Sequence, residues 1–259
     1  MSNIFSIQRF SWLFVKHTKE NYKTYLLSIV VLLGIMFIGL GFGAYINRGS
    51  ISLQVQSIYF WLYLLVNGTV FSSTAFAELG NKKKAIPLLT LPVSNFERFL
   101  VGWIYSFVIF QLIFVICFFS VDLLVLSIGD SNSGVHNTIL SLSAATTKTY
   151  QAFIAFAFLH AVSILGAIYF DKQHFIKIAS SFFLFLISIS LINYALIKSM
   201  IKADVRAVMP FTKFNIREGD FVFGLEPSQF AQNIFLGLTF TVVILLWTAT
   251  YFKLKEKQV

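Results

Sequence analysis

Charge is what this sequence has least of: Asp, Glu, Lys and Arg together make up 12% of its 259 residues, whereas an ordinary soluble domain carries about 25%. Hydrophobic residues make up 57% and the mean hydropathy is +0.78. A soluble fold cannot hide that much apolar surface. There is one cysteine, Cys117, so no disulfide can form within the chain and cysteine usage says nothing of redox compartment. The nucleotide-cradling GxxxxGK[ST] loop is absent, as are HExxH, any clustered Cys/His metal set and the GxSxG elbow. The chain is therefore expected to hold no catalytic site, no metal and no cofactor of its own. Any energy-coupled role must use a partner.

What is present is long apolar runs. Six stretches lack any Asp, Glu, Lys or Arg: Tyr25–Tyr45, Ser57–Ala77, Phe99–Val121, Tyr150–Phe170, Ile178–Ile197 and Phe230–Phe252. Each reaches the roughly 20 residues that a bilayer-spanning helix needs. With six spans both termini share one side, and that side holds thirteen of the twenty Lys and Arg, including Lys82, Lys83 and Lys84. Cytoplasmic loops carry the Lys/Arg excess, which places both termini in the cytoplasm; the location expected is the inner (cytoplasmic) membrane. Five of the seven exceptions, Lys198, Lys202, Arg206, Lys213 and Arg217, fall in one outer stretch. The net charge of +9 is thus basicity at a membrane surface, with no nucleic-acid partner implied. More than twenty residues, with Arg9, Lys16, Lys19 and Lys23 among them, precede the first apolar run, so no cleavable signal peptide is expected.

Residues 1–24 segregate on a helical wheel. Ile4, Ile7, Phe10, Leu13, Phe14 and Val15 gather opposite Arg9, Lys16, Lys19, Glu20 and Lys23, while Phe5 and Trp12 fall toward the charged side. This predicts an amphipathic helix lying in the headgroup region, or one whose apolar face packs on the protein's own spans. In the first span Gly39 and Gly43 form a GxxxG pair, which suits a close helix contact between subunits or within the chain. In the second, Asn67, Ser72, Ser73 and Thr74 bring hydrogen-bonding groups into the bilayer, either as a polar translocation surface or as bonds to their own helix backbone. The third outlasts the bilayer, so Asp122 is expected near its outer interface. His160 sits mid-span in the fourth. An ionisable group at that depth is a functional hypothesis, but no span offers a charged partner, which favours a neutral histidine bonded to a neighbouring helix. Asn67 and His160 are the possible intramembrane polar site. In the outer segment 198–229, the spacing of Lys198, Lys202 and Arg206 predicts a short amphipathic helix ended by Pro210, followed by irregular chain rich in phenylalanine.

The stretch 78–98 has a more definite design. Lys82, Lys83 and Lys84 meet an apolar piece, Ile86 to Leu91, between Pro87 and Pro92, and a helix then starts at Ser94. Ser94 and Glu97 have the spacing of a capping box, in which each side chain bonds the other's backbone N–H. Such a loop holds a shape, where a connector would need only polar, flexible residues.

An interfacial N-terminal helix, six spans, the loop KKKAIPLLTLPVSNFERFL and an outer segment before the last span resemble the permease subunits of ABC transporters of the type-2 exporter family. The resemblance rests on topology and, by residue, on Glu78 and LPVSNFE at Leu91 to Glu97. It implies one transmembrane domain over 1–259: an all-α integral membrane protein of six transmembrane helices with an N-terminal interfacial helix, a cytoplasmic coupling helix and an outer segment. It also implies an ABC ATP-binding subunit as partner, carrying ATP and Mg, and a second permease copy or paralogue. Glu78, Lys82, Lys83, Lys84, Ile86, Pro87, Leu88, Leu89 and Leu91 would face the ATPase, and Ser94 and Glu97 would set the start of the third span. The function implied is export of a lipid, glycan, peptide or drug-like molecule. The alternative is a non-transporting membrane scaffold or sensor that recruits an ATPase.

Overall fold

The computed structural model describes residues 5–76, 93–133, 138–143, 149–170, 174–200, 204–205, 214–218, 221–225 and 227–256. Its body is all-helical. Helix α1, Ile7–Ile46, is unbroken over 40 residues, about 60 Å at about 1.5 Å per residue. The interfacial helix expected over residues 1–24 is not set apart: from Ile7 on it runs directly into the first span, because nothing in KHTKENYKTY breaks the backbone ladder. Its apolar face is partly claimed by the protein: Phe10, Leu13 and Phe14 pack with Val93, Val101, Tyr105 and Ile109. Ile7, Trp12 and Val15 stay exposed.

A tight turn follows, with Arg48 at φ 53° and Gly49 at φ 90°, and the Gly49 N–H donates back to the Ala44 carbonyl at 2.8 Å. Helix α2, Leu53–Thr74, starts at Ser52, whose hydroxyl accepts from the Val55 N–H. The third apolar run is α3, Asn95–Trp103, then a π-helical stretch, Ile104–Ile109, then α4, Phe110–Ser133. Helices α5, Tyr150–Tyr169, α6, His174–Met200, and α7, Gln229–Glu256, complete the body.

Among the described residues five helices are long and apolar enough to cross a membrane: Ile7–Ile46, Asn95–Gly129, Tyr150–Tyr169, Ile176–Met200 and Gln229–Glu256. Helix α2 is not among them. It carries no charge, but Gln54, Gln56, Tyr59, Tyr63 and Asn67 lower its hydropathy. Its place in the bundle is nevertheless that of a full member. Tyr25 of α1 meets Phe71 of α2, while Gly39 and Gly43 of α1 face Tyr63 and Tyr59, so α1 and α2 run antiparallel. Phe60 meets Phe118 and Phe71 meets Phe110, making α2 antiparallel to the third run as well. Phe158 of α5 meets Phe182 of α6, and Gly166 of α5 faces Ile178 of α6. Trp103 and Phe99 meet Trp247 and Tyr251 of α7. Successive helices thus alternate in direction.

The core lies where α1, α2, α4 and the start of α5 meet, around Met36, Leu40, Phe60, Phe114, Phe118 and Phe156. Close approach here depends on small residues: a Cβ on Gly68 would sit 2.2 Å from the Phe156 ring. Helix α6 is peripheral, with Phe183, Leu184, Phe185 and Ile187 turned outward.

Asp122, at the far end of α4, is fully buried within the protein, where α1, α2 and the chain around Leu140 close over it. One expectation changes. The segment after α6 forms a small antiparallel sheet, β1 Asp204–Val205, β2 Phe214–Glu218 and β3 Phe221–Leu225, in the order β1-β2-β3. Val205 pairs with Ile216 and Phe223 pairs with Ile216 from the other side. The amphipathic helix expected through Lys198, Lys202 and Arg206 is therefore interrupted, since Asp204–Val205 is a strand. Phe214 and Ile216 alternate with Asn215 and Arg217, and Phe221, Val222 and Phe223 are β-branched or aromatic, which suits strands.

Candidate functional site

The residues assigned to a coupling role, Glu78, Lys82, Lys83, Lys84, Ile86, Pro87, Leu88, Leu89 and Leu91, lie outside the described residues. The described chain resumes at the helix start, and there the reciprocal cap is formed. The Ser94 hydroxyl accepts from the Glu97 N–H at 3.2 Å, and Oε2 of Glu97 accepts from the Ser94 N–H at 2.9 Å. The spacing of three residues dictates this much.

It does not dictate the rest. Oε1 of Glu97 accepts from the Ser6 N–H at 2.8 Å and from Nη2 of Arg9 at 3.0 Å. The Glu97 side chain is fully buried, while the Arg9 side chain keeps 28% exposure. Two backbone donors and a guanidinium stabilise the ionised carboxylate, and burial alone would oppose it. One side chain thus closes the cap of α3 and pins the first turn of α1. Next to it, Phe5 meets Phe96 and Arg98 donates to Asn95 at 3.0 Å. Deeper in, the Thr18 hydroxyl bonds the Tyr105 hydroxyl, Tyr105 stacks on Tyr25, and His17 bonds the Tyr25 hydroxyl at 2.7 Å. These contacts carry the α1–α3 junction into the π-helical stretch.

His160, fully buried on α5, is the second polar feature. The Trp247 indole, which can only donate, lies 3.2 Å from Nδ1, so Nδ1 is the acceptor and the ring proton is on Nε2. Nε2–H then donates to the Ser106 hydroxyl at 2.9 Å, and that hydroxyl donates to the Gly102 carbonyl at 2.7 Å. Four groups from α7, α5 and the third run are tied in one direction. A relay needs ends that both give and take protons, but this chain begins at a donor-only indole and ends at an acceptor-only carbonyl. It is a fixed network around a neutral histidine, enclosed by Phe107 and Phe156. Ser106 lies within the π-helical stretch, where a hydroxyl bonded to a backbone carbonyl four residues back locally competes with the helix ladder.

The remaining residues separate. Asn67 donates to the Tyr63 carbonyl of its own helix at 3.0 Å and does not join His160. Ser72, Ser73 and Thr74 likewise bond carbonyls of α2. Gly39 and Gly43 serve a contact within the chain, since a Cβ on Gly39 would sit 1.6 Å from the Tyr63 hydroxyl and one on Gly43 would sit 3.3 Å from the Tyr59 ring. Sequence reasoning missed Ser6 and Arg9 as partners of Glu97, and Ser106 and Trp247 as partners of His160. Arg9 was visible only as one member of a basic face. No local spacing links residues 54 and 87 positions from His160.

Among the described residues no group of His, Cys, Asp and Glu could hold a metal ion. In comparisons with known proteins, no family model, curated protein or solved structure matches the chain.

Proposed function

We propose that the chain is the membrane-spanning permease subunit of an ABC-type exporter. A separate ATP-binding subunit, which carries ATP and Mg, docks on the loop at 78–98, and the permease works with a second copy or paralogue. The observation that carries this reading is the Glu97 junction. A loop that only connected two spans would not need its exit fastened to another helix; here one buried carboxylate joins the end of the loop to both α1 and α3. A tilt imposed on the loop by a partner is then transmitted to two long helices together. The π-helical stretch and the His160 network, two to three turns further along, supply a site where the third run can yield while α5 and α7 keep hold of it.

Six spans with both termini cytoplasmic are part of the proposal. The alternation of helix direction, α2 included, and the Lys/Arg bias support it. A cysteine placed at Lys83 or Lys255 is then shielded from an impermeant thiol reagent in intact cells, and one at Asn132 reacts; labelling at Lys83 from outside would overturn the topology.

The functional test replaces Leu88 and Leu89 by aspartate, because carboxylates forced into an apolar docking groove cost several kcal/mol. With the variant at normal levels in the membrane, the ATPase that co-purifies with the native chain should be lost, together with ATP-driven substrate movement in proteoliposomes. Undiminished co-purification and transport refutes the docking site. An ATPase that binds but drives no movement refutes the permease role and leaves a scaffold or sensor.

A further inference from the structure

At the end of the bundle remote from Glu97, three buried oxygen atoms have no hydrogen-bond partner: Oε1 of Gln56 and both carboxylate oxygens of Asp122. All three are acceptors, so what the site lacks is a donor or a cation.

The amide orientation of Gln56 is not free. Its Nε2 donates to the Ile51 carbonyl at 3.1 Å and to the Thr138 carbonyl at 3.0 Å. A flip would set oxygen against both carbonyls, so Oε1 must point away from them. Asp122 lies at the same level. Phe60 and Phe118 meet edge to face at 5.0 Å; Gln56 is one turn before Phe60, Asp122 one turn after Phe118, and the two helices run antiparallel. The same short stretch of chain reaches both: Thr138 bonds Gln56, and the Leu140 N–H faces the Asp122 carboxylate without reaching good hydrogen-bond geometry.

No charged side chain compensates Asp122 among the described residues. On the elements packed around it, Tyr45 and Arg48 of α1 and its turn are exposed, and Tyr150 opens α5 at the surface. Tyr59 and Tyr63 stack on each other against α1, and Cys117 lies on the same helix as Asp122, more than a turn away. An ionised carboxylate left alone in such a place is far costlier than a neutral one.

We propose that Gln56 and Asp122 form a proton-binding site, with Asp122 held as the neutral acid and its O–H donating to Oε1 of Gln56. One proton then satisfies two of the three oxygens, leaves the third to the Leu140 N–H, and removes the unpaired charge. Release of that proton would leave a carboxylate facing an amide oxygen between α2 and α4, and would drive the helix ends apart. The site does not depend on the permease reading.

The test uses the full chain in lipid nanodiscs. Infrared spectra at neutral pH should contain the carbonyl stretch of a protonated carboxylic acid that Asp122→Asn lacks, and Gln56→Leu should move that band to higher frequency as its hydrogen bond is lost. Asp122→Asn keeps a donor for Gln56, so its thermal midpoint should stay near that of the native chain, and should not fall on raising the pH as the native midpoint does. Absence of the band at neutral pH in the folded native chain overturns the proposal. So does an unshifted band in Gln56→Leu, or stabilisation by one metal cation that Asp122→Asn abolishes. If Asp122→Asn does not fold, the band shift in Gln56→Leu carries the test.

Discussion

Replacing Glu97 by alanine removes the acceptor for the Ser94 and Ser6 N–H groups and for Arg9 at one stroke. The cap term costs about 0.5–2 kcal/mol. The part-buried Ser6 N–H, left without this partner, adds about 1 kcal/mol, the low end of the range for an unsatisfied donor. Arg9 adds less than a buried ion pair would, because it is part-exposed and can turn to water. Together roughly 2–4 kcal/mol is expected, allowing for overlap between neighbouring bonds. Glu97→Gln keeps one acceptor oxygen and sets an NH2 donor where the other was, so it can serve the Ser94 side or the Ser6 and Arg9 side but not both, and should lose at least about half of it. The loss should be local. Hydrogen exchange should rise in the first turns of α1 and at residues 94–98, while amides of α5 keep their protection. In a double-mutant cycle, Arg9→Ala and Glu97→Ala should be non-additive. Unchanged exchange in the first turns of α1, or strict additivity in the cycle, would mean that Glu97 caps its own helix and ties nothing else.

Ser106→Ala leaves the buried His160 Nε2–H without an acceptor and should cost about 1–3 kcal/mol; an unchanged thermal midpoint in Ser106→Ala would invalidate the assigned tautomer. Gly39→Ala should cost about 1–3 kcal/mol through overpacking on Tyr63. Gly34→Ala, with nothing within 4 Å, should not destabilise. Adding Tyr63→Phe should restore much of the Gly39→Ala loss by removing the clashing hydroxyl, and failure of that rescue in thermal unfolding would show that the contact is not the one described.

The sequence by itself determined the class and the local signals. Uncharged runs of twenty residues and more demand helices in a membrane, because only there is a continuous apolar surface stable and only a helix satisfies its own backbone without water. The Ser94–Glu97 cap was equally legible, since its partners lie three residues apart and their geometry follows from the helix alone. The neutral, helix-bonded state of His160 followed from the lack of any charged partner within the spans. Only the tertiary structure decided the rest. Whether residues 1–24 lie apart or continue into α1 depends on whether the turns between them meet a packing partner, and Leu13 finds one in Val101 and Tyr105. Gly39 and Gly43 could have faced any helix; the turn at Arg48 and Gly49 folds α2 back and brings Tyr59 and Tyr63 onto them. Counting residues gives the depth of Asp122 along one helix but not what covers it, and its neighbours Val121 and Val125 are buried in one cluster with Ile51 and Leu140 from elsewhere in the chain. Arg9 and Glu97 lie 88 residues apart, and no local pattern joins groups at that separation; the packing of α1 on α3 does.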